Sequence, residues 1–154
     1  MIIIGSDHTG ILLKKEIIEY LNENNIDVFD ATNNGAQTDD DYPDIAVVIC
    51  KKVLEDKENI GIAICGTGIG ISISCNKIRN IRAALCSDKY VAEMSRRHND
   101  ANVLCLGSRT QYAKNLNNIY EIVSIFISTK FDGGRHIRRI NKIKDIENIN
   151  EKVK

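Results

Sequence analysis

Short, unbroken apolar runs alternate along this chain with segments whose apolar residues recur at helical spacing. Ile2-Ile3-Ile4 ends in Gly5, and Leu13, Ile17, Tyr20 and Leu21 then mark one face of a helix. Asp27-Val28-Phe29-Asp30 reads as a second strand, and the polar stretch from Thr32 to Asp41 as a loop. The only proline, Pro43, suits the first turn of a helix whose apolar face is Ile45, Ile49 and Val53. Ile60–Ile64 is a third strand, and Ile71–Lys77 can begin a helix behind it. Arg82–Cys86 is a fourth strand. Ser87 can cap the next helix, which carries Tyr90, Val91 and Met94. Asn102–Leu106 is a fifth strand, stopped by Gly107, and a long helix with Leu116, Ile119, Val123 and Phe126 follows.

Continuous apolar strands, rather than alternating ones, indicate a sheet covered on both faces, hence parallel strands joined by helices. Ligands of such sheets collect beyond the carboxyl ends of the strands. The polar residues there are Asp7-His8, Cys65-Gly66-Thr67, Ser87-Asp88 and Ser108-Arg109. The tail breaks the rhythm. Ile137, Ile140, Ile143, Ile146 and Ile149 repeat every three residues, and a helix rotates such a repeat by about 60° per step, so no flat stripe results. Either the tail wraps its own domain or it is an arm for a second subunit.

The 154 residues are read as one domain, with the arm or tail at about residues 134–154. Charge is balanced, 21 basic against 21 acidic residues, so no overall field recruits nucleic acid or a membrane surface. Aromatic residues are 5% of the chain and tryptophan is absent, leaving few platforms for base stacking. No signal peptide or membrane span is expected. The five cysteines are odd in number and form no CxxC pair. Cys50, Cys86 and Cys105 sit in apolar runs as small core residues, which fits a reducing cytoplasm.

Chemistry concentrates at Cys65-Gly66-Thr67-Gly68-Ile69-Gly70, where a strand ends in a thiol and opens into three glycines. Glycines let backbone N–H groups surround an anion, and a helix N-terminus behind them adds partial positive charge. The stretch can hold a base or nucleophile beside an anion cradle. It fails the dinucleotide fingerprint, because Ile71 stands where a glycine or alanine belongs, and it lacks a phosphate-loop ending. Alone it could equally be a tight turn. His98-Asn99 ends the fourth helix, where His98 suits the helix dipole and Asn99 a left-handed cap. Gly133-Gly134-Arg135-His136 leads into a basic helix start. Cations there oppose the dipole, so either an anionic ligand offsets them or the turn is simply solvated. Arg135 and Arg139 share one helix face and suit a phosphate. The three histidines are dispersed, with no HxxxH spacing, so no metal set and no cofactor are expected. A phosphorylated substrate, a thiol base and a polarised oxygen together fit aldose–ketose isomerisation, which needs only proton transfers through an enediolate.

At these residues the chain resembles the type B ribose-5-phosphate isomerase family. The matching segments are Gly5–Gly10, Asp41-Tyr42-Pro43, Ile64–Ile71, Ser95–Val103, Gly107-Ser108-Arg109 and Gly133–His136, in family order up to about Ile146. The resemblance implies a three-layer α/β/α sandwich with a five-stranded, parallel, Rossmann-like sheet and a C-terminal helical arm. The implied strand order is 2-1-3-5-4. It implies a homodimer with active sites at the interface, sometimes a dimer of dimers. It implies interconversion of ribose 5-phosphate and ribulose 5-phosphate in the pentose phosphate pathway. By the same resemblance, Cys65 moves a proton between C1 and C2, and Thr67 helps transfer one between O1 and O2. The amides of Gly66, Gly68, Ile69 and Gly70 hold the enediolate. His98 opens the furanose ring, assisted by Asp7. Asn99 and Tyr42 contact the sugar, and His8, Arg109, Arg135 and Arg139 hold the phosphate. His98, Asn99 and Arg109 are expected from the partner subunit. Members without the cysteine use a glutamate at the position of Ile71, so this chain falls in the cysteine branch. The competing readings are isomerisation of allose 6-phosphate or galactose 6-phosphate, and a non-catalytic phosphate- or nucleotide-binding module.

Overall fold

The computed structural model describes residues 1–33 and 40–152. Most of the polar loop expected over Thr32–Asp41 therefore lies outside the described residues. Five strands form one parallel sheet: β1 (Ile2–Ser6), β2 (Val28–Asp30), β3 (Ile60–Cys65), β4 (Ala83–Leu85) and β5 (Val103–Gly107), in the order β2-β1-β3-β5-β4. The helices among the described residues are α1 (Ile11–Glu23), α2 (Tyr42–Val53), α3 (Ile69–Cys75), α4 (Lys89–Asn99), α5 (Leu116–Ser128) and α6 (Arg135–Lys152). A 3₁₀ turn over His8–Gly10 joins β1 to α1.

Strand period two sorts the apolar runs into two cores. Ile2, Ile4, Ile62, Ile64, Leu104 and Leu106 pack under α1, α4 and α5, with Leu13, Ile17, Leu21, Ile119, Val123 and Phe126 opposite them. Ile3, Ala63, Cys65, Val103 and Cys105 face α2 and α3, against Ile45, Ile49, Val53 and Ile71. Each fully buried side chain of this size contributes about 1.5–3 kcal/mol. The charged Lys14 is buried with them, its Nζ donating to Asp30 and to the Thr32 carbonyl at 2.8 Å.

Several local expectations change. Gly107 does not stop the fifth strand; it is the last paired residue, opposite Cys65. A Cβ there would lie 2.5 Å from the Thr67 carbonyl carbon and oxygen, so only glycine lets β5 run alongside that loop. Asp88, not Ser87, caps α4, its carboxylate accepting from Val91 N at 2.9 Å. The left-handed residue after α4 is Asp100 (φ 46°), and Asn99 remains helical. The buried side of α4 is Ala92 and Ser95, whereas Tyr90 and Val91 face outward. The tail is one helix, α6, which buries Ile140 and leaves Ile137, Ile143, Ile146 and Ile149 exposed.

Candidate active site

Cys65 closes β3, and its side chain is buried at 4% exposure on the α2–α3 side of the sheet. The chain then turns through Gly68, at φ +78°, and enters α3. This conformation is the reason for a glycine there. It brings Gly68 N to 3.2 Å from Cys65 Sγ, so a backbone amide donates to the sulfur. Thr67 is exposed at the mouth of the loop, its Oγ1 accepting from Ile69 N at 3.3 Å. A Cβ on Gly70 would lie 2.7 Å from Cζ of Tyr42, so the missing side chain is what lets that ring lie against the loop.

Three strand ends are fastened together here. Ser108 N donates to Cys65 O and Arg109 N to Gly66 O, both at 2.9 Å. Ser108 Oγ bridges Thr9 O and Cys65 O. Asp7 N donates to Ile64 O, and Asp7 Oδ1 accepts from Thr9 N and Thr9 Oγ1 at 2.9 and 2.6 Å. Asp7 is buried and His8 exposed. The Arg109 side chain crosses Gly66, with Cδ 3.5 Å from where a Cβ would stand. Asp7, His8, Tyr42, Cys65, Thr67, the loop amides through Gly70 and Arg109 thus gather at the carboxyl ends of the strands, where parallel sheets have their ligand crevice. Ile71, where the resemblance places a glutamate in chains without the cysteine, is fully buried in the core.

The remaining expected residues form a second cluster elsewhere. Helix α4 runs back across the sheet, so His98 and Asn99 reach the edge at which the strands begin. Ala101 N bonds to Ser95 O, and Gly61 N, at the start of β3, bonds to Asn102 O. From Gly61 to Cys65 the strand advances about 13 Å. The turn before α6 is fastened to that same edge: Arg97 Nε donates to both oxygens of Asp132 at 3.2 and 3.1 Å, and Asp132 N to Arg97 O. Gly133 and Gly134, at φ +66° and +53°, then direct α6 across α4. His136 is buried, with its ring stacked on His98 at 4.4 Å and 8°. Burial holds the His136 imidazole below its ordinary value, and His98, Arg135 and Arg139 add to that effect.

The expected grouping therefore changes. Arg109, expected to come from a partner subunit, lies beside the Cys65 loop of its own chain, while Arg135 and Arg139 accompany His98 and Asn99. Sequence separation of the histidines is not spatial separation either. His98 and His136 meet, and Asp132 joins them. Asp132 carries no signal in the sequence, and His136 stands out only as part of the Gly-Gly-Arg-His segment. The other four cysteines are also free and buried, and hydrogen bonds with Cys105 and Cys50 lower the Cys75 thiol to about 4. Burial pushes the Cys86 thiol up to about 11. Hydrogen bonding to Cys75, with burial behind it, raises Cys50 and Cys105.

Comparisons with known proteins agree on one family. A family model described as Ribose/Galactose Isomerase matches residues 2–143. Ribose-5-phosphate isomerase B of Escherichia coli (strain K12) is 42% identical over 150 residues, covering 95% of each chain. A solved structure of ribose-5-phosphate isomerase B from Clostridium thermocellum superposes with a TM-score of 0.88 at 43% identity. It covers 97% of this chain and 98% of that one. The Mycoplasma genitalium ribose-5-phosphate isomerase B structure, with bound ribulose-5-phosphate, gives a TM-score of 0.87 at 42% identity. The shares covered are 96% of this chain and 95% of that one.

Proposed function

The chain belongs to the ribose/galactose isomerase family, and we propose that it interconverts ribose 5-phosphate and ribulose 5-phosphate with Cys65 as the base. The observation that carries the chemistry is the Gly68 amide 3.2 Å from Cys65 Sγ, at the opening of a loop of backbone donors. The thiolate removes the proton from C2 of the open-chain aldose and returns it to C1. Charge moves onto O1 and O2 in the enediolate between these steps. The amides of Gly66, Gly68, Ile69 and Gly70 stabilise that charge, with Gly68 N and Ile69 N turning to it from Cys65 Sγ and Thr67 Oγ1. Thr67 Oγ1, exposed beside them, carries the proton between O1 and O2.

The cyclic sugar is opened first. His98 exchanges protons with the ring oxygen and the C1 hydroxyl, and Asp7 assists through Oδ2, since Thr9 occupies its Oδ1. Tyr42 and Asn99 contact the sugar. His8, Arg109, Arg135 and Arg139 take the phosphate. Because the Cys65 crevice and the His98 cluster lie on opposite sheet edges, a complete site needs two chains. The crevice of one chain receives His98, Asn99, Arg135 and Arg139 of a second. Exposed apolar residues support such a pairing, including Ile69 and Ile73 on α3 and Tyr90 on α4. Five free, buried cysteines fit a reducing compartment, the cytoplasm. No helix among the described residues is long and apolar enough to cross a membrane.

The test is ribulose formation from ribose 5-phosphate in EDTA, with allose 6-phosphate run in parallel. Turnover of the pentose phosphate with little turnover of the hexose phosphate is expected. Cys65→Ala should lose at least about 10²–10⁴-fold, the usual worth of a general base, while keeping its fold. Near-parental turnover in that variant would remove the thiol from the mechanism.

A further inference from the structure

The His98–His136 stack has a chemistry that the isomerisation does not use. One ligand atom from each of His98, Asp132 and His136 lies within 4.8 Å of the other two. The rings are nearly parallel, 8° apart, so both are oriented alike beside the Asp132 carboxylate. His136 is 6% exposed, and its Nδ1 is buried with no hydrogen-bond partner among the described residues. Buried ring nitrogens are ordinarily paired, so an orphan on a ring grouped with a second imidazole and a carboxylate points to a ligand at this cluster. The group is also braced. Arg97 holds both Asp132 oxygens, and Asp132 N in turn donates to Arg97 O on α4.

We propose that His98, Asp132 and His136 form a binding site for a divalent transition-metal ion, zinc being the type case, and that its occupancy inhibits the enzyme. Two imidazoles and one carboxylate suit zinc, nickel or copper, whereas calcium and magnesium need more oxygens than this site offers. Zinc ligands stand about 2.0–2.2 Å from the metal, so the three atoms must draw together by roughly 1 Å. Half-buried His98, and exposed Asp132 once it gives up part of its Arg97 contact, can make that movement, and His136 stays buried. Arg97, Arg135 and Arg139 surround the group and oppose a dication, so binding is weaker than at a structural zinc site. Three protein ligands leave a fourth position open to water or another donor. The inhibitory consequence rests on the ring-opening role proposed for His98. A metal-bound imidazole cannot exchange a proton with the ring oxygen. Zinc should therefore slow consumption of cyclic ribose 5-phosphate more than that of ribulose 5-phosphate, which is already open.

The test uses the full-length chain without a histidine tag, carrying Cys65→Ala so that the thiol cannot take the metal. Calorimetric titration with zinc chloride should show one site per chain. Adding Asp132→Asn, or His136→Phe to keep the ring stack, should weaken that binding at least about tenfold, since even outer-shell changes cost that much. Equal zinc affinity in the parent and in both variants would overturn the site. In the cysteine-containing enzyme, zinc should inhibit ribose 5-phosphate consumption several-fold more than the reverse reaction, and EDTA should restore it. Lost binding in the variants with equal inhibition of both directions would uphold the site and overturn the role given to His98.

Discussion

Chains carrying Cys65→Ala and chains carrying His98→Ala should each be inactive on ribose 5-phosphate, and should regain activity when allowed to exchange subunits. The expected size follows from the geometry. Cys65 ends β3 opposite Gly107, whereas His98 lies at the edge where that strand begins, beside Ile60-Gly61. About 13 Å of rigid strand separates those edges, more than any side-chain rotation can close. In the proposed dimer each site then draws its thiol from one chain and its ring-opening histidine from the other. In a mixed dimer one site carries both substitutions and the other carries neither. Random exchange makes about half the dimers mixed, so roughly a quarter of all sites should work. The assay is ribulose formation from ribose 5-phosphate, with native mass spectrometry to show that mixed dimers exist. Two further mixtures exploit the placement of Arg109. Cys65→Ala with Arg135→Ala should recover activity, because the two positions belong to different half-sites. Cys65→Ala with Arg109→Ala should not, because both lie in the same crevice and each mixed site keeps one defect. Recovery in that last mixture, or none in the first despite mixed dimers, would refute the shared arrangement.

Arg135→Ala and Arg139→Ala should each lower kcat/KM by roughly ten- to a hundredfold, the worth of one charge-assisted hydrogen bond. Inorganic phosphate should also inhibit these variants less than the parent, and unchanged phosphate inhibition would remove both arginines from the site. Asp88→Ala should destabilise the chain by about 1 kcal/mol through the lost α4 cap, read from urea midpoints, whereas Ser87→Ala should change little. His136 is held below the ordinary imidazole value of 6.5, so the unfolded chain binds that proton more readily. Its share of stability is therefore intact above that value and is lost as pH falls through the lower folded value. His136→Phe should flatten the acid side of the stability profile below about pH 6.5, and an unchanged slope would contradict the burial of a neutral ring.

Much of the architecture was legible in local pattern. Unbroken apolar runs such as Ile60–Ile64 declared strands covered on both faces, and helical spacing declared α1, α2 and α5. Motif resemblance supplied the strand order, which periodicity alone does not contain. The Cys65 loop was legible because its demands are local: three glycines and a thiol at a strand end. Cap positions were less so. Ser87 and Asp88 are equally plausible from composition, and only the path of the backbone at the end of β4 puts the Asp88 carboxylate within reach of Val91 N. The outward face of Tyr90 and Val91 was hidden for a similar reason. An apolar residue on a helix reads as core until the sheet shows which side is covered, and here Ala92 and Ser95 take that side. The largest revision concerns partners. Arg109 beside Gly66, and His136 stacked on His98, are contacts between residues 43 and 38 positions apart. Nothing in the composition of either segment specifies the other. Those pairings were decided when parallel strands set all the carboxyl ends at one edge, and when α4 carried His98 back to the other.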